Sequence, residues 1–138
     1  MKKIILLLSV CTLMLTSCNK DDDNSSSQDL LIGTWKFYKY FENNIEIPLE
    51  ACENEQTLGI NANGTYTFTD YIEVGNTCEI DEALTGTWRN AGNGVYVLDE
   101  ETDAFTLSIT FEGNTFFYTI TYNNGTENVT DKYVYKRP

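Results

Sequence analysis

The chain's soft nucleophiles are four cysteines, at positions 11, 18, 52 and 78, and no histidine stands anywhere in the sequence to activate them. That absence removes Ser-His-Asp and Cys-His catalysis, both of which need an imidazole to carry the proton. It also removes the usual zinc sets, since no Cys-x-x-Cys spacing offers a thiolate alternative. No Gly-x-Ser-x-Gly, phosphate loop or dinucleotide fingerprint occurs. Carboxylates are plentiful, 21 in all, so adjacent pairs arise by composition alone. The densest run, Asp99-Glu100-Glu101-Thr102-Asp103, has oxygen ligands for calcium but not the spacing of an EF-hand loop, and reads as a solvated turn. Asn-x-Thr sequences at Asn63 and Asn124 coincide with turn signals and are read as turns. These residues predict a protein that is not an enzyme and carries no cofactor or metal.

The one cysteine with a specific chemistry is Cys18. Lys2 and Lys3 precede a mostly apolar run, 4–15, with the charge and length pattern of a secretory signal peptide; the run is short of the roughly 20 residues a transmembrane helix needs. Leu15-Thr16-Ser17-Cys18 then resembles the lipobox of bacterial lipoproteins. The resemblance implies cleavage after residue 17 and a lipid-modified Cys18 as the link to membrane lipid. One acyl chain holds a protein only reversibly, whereas two or three anchor it stably. Residues 18–29 are polar and acidic and bury nothing, so they are expected to form a disordered tether. Lys20, Asp21, Asp22 and Asp23 resemble the export signal that sends some lipoproteins to the outer face of the outer membrane. A plain solvated linker on a periplasm-facing lipoprotein is the alternative. Loss of Cys11 with the leader and of Cys18 to lipid leaves Cys52 and Cys78 in an oxidising compartment, where a disulfide between them is expected.

The formal net charge is −12. A chain this acidic repels phosphate backbones and anionic headgroups, so nucleic acid is excluded as a natural partner.

The elements that would position any site are strands. Thr, Tyr, Phe and branched aliphatics alternate through 30–138, broken by Gly and Asn. Eight strands are predicted, at 34–41, 57–61, 65–72, 84–89, 95–98, 105–111, 115–122 and 128–136. Turns at 61–64, 112–114 and 123–125 are short, which makes neighbours antiparallel. The long connection, 42–56, has room for a short helix or a lid. Alternation is plain in Phe105, Leu107, Ile109 and Phe111, in Tyr66, Phe68 and Ile72, and in Phe116, Tyr118, Ile120 and Tyr122. Each strand thus has one apolar face. The expected fold is all-β, an eight-stranded up-and-down antiparallel barrel closed by pairing of its first and last strands; a two-sheet β-sandwich is the alternative.

Gly33-Thr34-Trp35 at the head of the first strand, Gly64-Thr65-Tyr66, and a second Gly-Thr-Trp at 86–88, in this order with a cysteine in the first long loop, resemble the bacterial lipocalin-like lipoproteins. The resemblance implies a barrel at 30–138 with Trp35 plugging its closed base, and a small apolar or amphipathic ligand. Phe37, Tyr66, Phe68, Ile109, Phe116 and Tyr118 are then the candidate wall residues. The competing expectation is a barrel filled by its own aromatics, acting as an interaction module on an unidentified protein.

Overall fold

The structure is a computed structural model in which residues 28–100 and 103–138 are described. Among these residues ten strands form one antiparallel sheet: β1 (Gly33–Glu42), β2 (Ile45–Ile47), β3 (Thr57–Ile60), β4 (Thr65–Val74), β5 (Thr77–Gly92), β6 (Val95–Asp99), β7 (Ala104–Ser108), β8 (Thr110–Glu112), β9 (Thr115–Asn123) and β10 (Asn128–Lys136). The hydrogen-bonded order is β7-β6-β5-β4-β3-β1-β10-β9-β8, with the short β2 paired to β1. All pairings fall in a single sheet and none in a second layer, which replaces the sandwich alternative. The first and last strands pair as expected, from Lys36 opposite Lys136 to Glu42 opposite Asp131.

The two ends of that order, β7 and β8, are consecutive pieces of one segment. The sequence predicts one strand at 105–111, and the structure breaks it at Ile109, whose N–H donates to the Gly94 carbonyl at 2.8 Å instead of entering the ladder. Upstream of the break the segment pairs with β6; downstream it pairs with β9 through Thr110, Phe111 and Glu112 only. The ring therefore closes through a kinked segment. No ladder joins β7 to the part of β9 beyond Phe117, which leaves a seam in the wall.

Three other elements differ from expectation. β5 runs from Thr77 to Gly92 rather than 84–89. Its first half has both faces in water, so apolar alternation is absent and only pairing with β4 makes it a strand. β2 arises because Asn43 and Asn44 both adopt positive φ, 49° and 67°, the conformation of a two-residue hairpin turn. The rest of the 42–56 connection is irregular apart from one 3-10 turn, Glu53–Glu55.

The core fills one end of the barrel. Leu31, Trp35, Ile60 and Phe116 are almost wholly buried, with Phe37, Leu58, Tyr66, Tyr96, Leu98, Ile109 and Tyr135 around them. Trp35 meets Phe116 edge to face with centroids 4.8 Å apart. Its Nε1 donates to the Leu31 carbonyl at 2.7 Å, so the indole is buried without an unpaired polar atom. The Arg137 guanidinium lies 4.1 Å over the same ring and donates to the Leu30 and Ile32 carbonyls. Gly33, at φ 136°, makes room for this: a Cβ there would strike Arg137 Nη1. Asp29, at the end of the stretch read as tether, is bound into the same base, accepting from the Leu31 N–H at 2.8 Å and the Tyr96 hydroxyl at 3.0 Å.

Candidate functional site

Packing loosens steadily along the barrel. On β9 the inward-facing series runs from Phe116, fully buried, through Tyr118, partly buried, to Ile120 and Tyr122, each 44% exposed. Apolar alternation prepares all four positions alike. Only the first has a filled core beneath it, because Trp35 and Phe116 occupy the base and nothing comparable occupies the other end.

Above that base lies a cavity of about 550 Å³, partly open to solvent, within the range of small-molecule sites. Phe37, Leu58, Phe68, Leu84, Leu98, Phe105, Leu107 and Ile120 supply apolar wall. Five tyrosines, Tyr40, Tyr66, Tyr118, Tyr133 and Tyr135, supply ring faces and hydroxyls, and Glu53, Gln56 and Glu100 supply the remaining polar atoms. Strand register builds this lining: Tyr133 sits opposite Tyr118 and Tyr135 opposite Phe116 across β10 and β9. Tyr118 and Tyr133 stack at 5.1 Å. Phe105 and Leu107 from β7 and Tyr118 and Ile120 from β9 bring both margins of the seam to the cavity.

The hydroxyls are held by specific acceptors. Tyr40 donates to Asp131 Oδ1 at 2.8 Å, and Tyr133 approaches the other carboxylate oxygen at 3.4 Å. Asp131 is the buried charged residue of the described core, and this pair of donors explains how it is tolerated there. Tyr135 donates to Gln56 Oε1 at 2.8 Å, while Gln56 Nε2 donates to Asp70 at 3.0 Å. Tyr66 donates to Glu100 Oε1 at 3.0 Å. Burial pushes Tyr118 up to about 12. Tyr66 also rises to about 12, first from burial and then from its bond to Glu100. Tyr135 is driven well above the ordinary phenol range, chiefly by burial. Every one of these rings is neutral at physiological pH.

Of the six wall residues read from the sequence, Phe37, Tyr66, Phe68 and Tyr118 border the cavity. Ile109 and Phe116 do not. Ile109 sits at the break between β7 and β8, and Phe116 is packed among Trp35, Phe111 and Tyr135 in the filled base. Alternation assigns a face, whereas height along the barrel decides between core and cavity. Tyr40, Tyr133 and Tyr135 escaped the sequence reading. The last two were accessible from the alternation of Val129, Asp131, Tyr133 and Tyr135. Tyr40 was not, because a register shift between Phe37 and Lys39 inverts the faces of β1 beyond it.

Cys52 and Cys78 form the expected disulfide, with Cα atoms 5.5 Å apart. It ties the loop ahead of β3 to the outer end of the β4–β5 hairpin. Among the described residues no group of three or more Cys, Asp or Glu side chains is placed to hold a metal. The signal peptide, Cys18, Lys20 and Asp21 to Asp23 lie outside the described residues, as do Glu101 and Thr102 of the acidic turn.

No match is found among curated proteins. A family model described as a lipocalin-like domain matches residues 31–116. The matched span opens two residues before Gly33-Thr34-Trp35, takes in the base plug, the disulfide and every strand from β1 to β8, and ends at the start of β9, whose remainder and β10 complete the same sheet. The chain therefore belongs to the lipocalin-like domain family.

Proposed function

We propose that the protein is a membrane-anchored cup that binds one small apolar or amphipathic molecule, holding it rather than transforming it. The observation that carries the reading is the 550 Å³ cavity above the Trp35 base, walled by aliphatic and aromatic side chains and reachable from solvent. A filled interior would have favoured the interaction-module alternative. Burial of an apolar ligand against such walls contributes roughly 25 cal/mol per Å² before the costs of association.

The membrane part of the proposal rests on the sequence: Lys2, Lys3, the apolar run and Leu15-Thr16-Ser17-Cys18. In this reading acylated Cys18 sits in the outer membrane and the acidic tether carries the cup at the cell surface.

Native mass spectrometry of the purified protein, paired with displacement of an environment-sensitive fluorescent probe, tests the cup. A Leu107→Trp variant supplies the control, since it places bulk into the cavity from β7. The expected result is stoichiometric probe binding in the parent and loss of at least about tenfold in affinity in the variant, which corresponds to about 1.4 kcal/mol. Equal binding by both proteins, with thermal stability retained, places the probe elsewhere and ends the proposal.

A further inference from the structure

The cavity's polar groups are nearly all acceptors. A tyrosine hydroxyl has one proton to donate and two lone pairs. Tyr66 commits its proton to Glu100, Tyr135 to Gln56, and Tyr40 to Asp131. Tyr133 is oriented toward the same Asp131 carboxylate. Four of the five cavity tyrosines therefore have their protons directed at internal acceptors and can offer a ligand only lone pairs and ring faces. Glu53 and Glu100, both half-buried, add two carboxylates to the lining. No lysine or arginine belongs to that lining. Lys36 and Lys39, on the strand that carries Phe37 and Tyr40, pair instead with Glu55 and Glu46, each at 2.9 Å.

We infer that the cup selects an amphipathic ligand bearing a cationic, hydrogen-bond-donating nitrogen, an alkyl or aryl amine, and rejects carboxylates such as fatty acids. This rests on the cup reading of the same cavity. Glu100 already accepts from Tyr66 and Glu53 from the Glu50 N–H, and an ammonium group supplies further donors to the lone pairs that these single bonds leave on the carboxylates and the tyrosine oxygens. A carboxylate brings only acceptors to a wall whose remaining donors are the Tyr118 hydroxyl and the Gln56 amide, and it meets Glu53, Glu100 and, behind Tyr40, Asp131. The hydrocarbon part of either ligand lies equally well against Leu58, Leu98 and Phe68, so the headgroup decides.

Titration calorimetry of the full chain at neutral pH with decylamine, decanol and decanoate, all below their micellar range, separates headgroup from tail. Decylamine is expected to bind at least about tenfold more tightly than decanol, and decanoate more weakly than either. In the double variant E53Q/E100Q, which removes both charges at nearly constant shape, the ratio of decylamine to decanol affinity should shrink several-fold. Equal affinities for the three probes, tighter binding of decanoate, or an undiminished amine preference in the variant overturns the inference and leaves the cup standing. Absence of binding by all three overturns the cup together with it.

Discussion

Trp35 shows how one side chain sets the polarity of the barrel. Its ring is clamped between Phe116 and the Arg137 guanidinium, and its N–H is satisfied by Leu31. Truncation removes a large buried aromatic from a site whose glycine neighbour and arginine lid are shaped to it. Trp35→Ala is expected to cost about 3–5 kcal/mol, measured by urea unfolding; a loss below 1 kcal/mol would mean the base collapses freely around the gap. The tyrosines give a second residue-scale expectation. Tyr66 and Tyr118 are held near 12 against an ordinary value of 10.0, with burial as the main cause in both. The folded state therefore keeps phenolic protons that the unfolded chain releases between these values. Stability from this source is fully present below pH 10 and is lost as pH rises toward 12. The urea midpoint should accordingly be flat with respect to tyrosine ionisation up to pH 10 and then fall, together with a late phenolate absorbance change. Ring signals of Tyr66 or Tyr118 that move to the phenolate position at pH 10 in the still-folded protein, followed by NMR, would contradict the burial assigned to these rings.

At the scale of elements, the disulfide and the broken strand divide the labour of closure. The β4–β5 hairpin runs well past the core, and Ile72, Val74 and Ile80 on it are about half exposed or more. Its outer end is fastened by Cys52–Cys78, a bridge across 26 residues of sequence separation. Chain entropy assigns such a crosslink about 3–4 kcal/mol. Replacing both cysteines by alanine should lower stability by roughly that amount and raise hydrogen exchange in the hairpin before the base strands. Uniform loosening of base and hairpin would show instead that the bridge acts only on the unfolded chain. The break at Ile109 works in the opposite direction. By ending the β7 ladder early it leaves the edge of β9 that faces away from β10 without a ladder beyond Phe117, and the cavity reaches both margins of that gap.

For the whole molecule, acidity and anchoring act together. A chain with a net charge of −12 is repelled by anionic surfaces, so the proposed attachment depends on lipid at Cys18 alone. Cys18→Ala is expected to release the protein into the soluble fraction. Membrane retention of that variant would refute the anchor. Alanine in place of Asp21, Asp22 and Asp23 should leave the protein membrane-bound but protected from protease added to intact cells; continued shaving would assign those aspartates to an ordinary linker.

The sequence by itself determined the strand vocabulary, most of the turns, the Trp35 base, the cysteine pair and the exclusion of histidine chemistry. The strands, the turns and the missing histidine are written in local composition or in period-two alternation; the cysteine pair follows from the leader reading, and the Trp35 base is what the Gly-Thr-Trp resemblance implies. It identified Phe37, Tyr66, Phe68 and Tyr118 by face. It could not place Phe116 and Ile109 below the cavity, because height within a barrel depends on which strands stop where. Nor could it find Tyr40, whose direction reverses at a bulge, or the acceptor network of Asp131, Gln56 and Glu100, whose members come from distant parts of the chain. Tertiary structure alone decided that one end is solid and the other hollow. Side-chain volume fills the ring only where Trp35, Phe116 and Leu31 converge, and no local pattern records that sum.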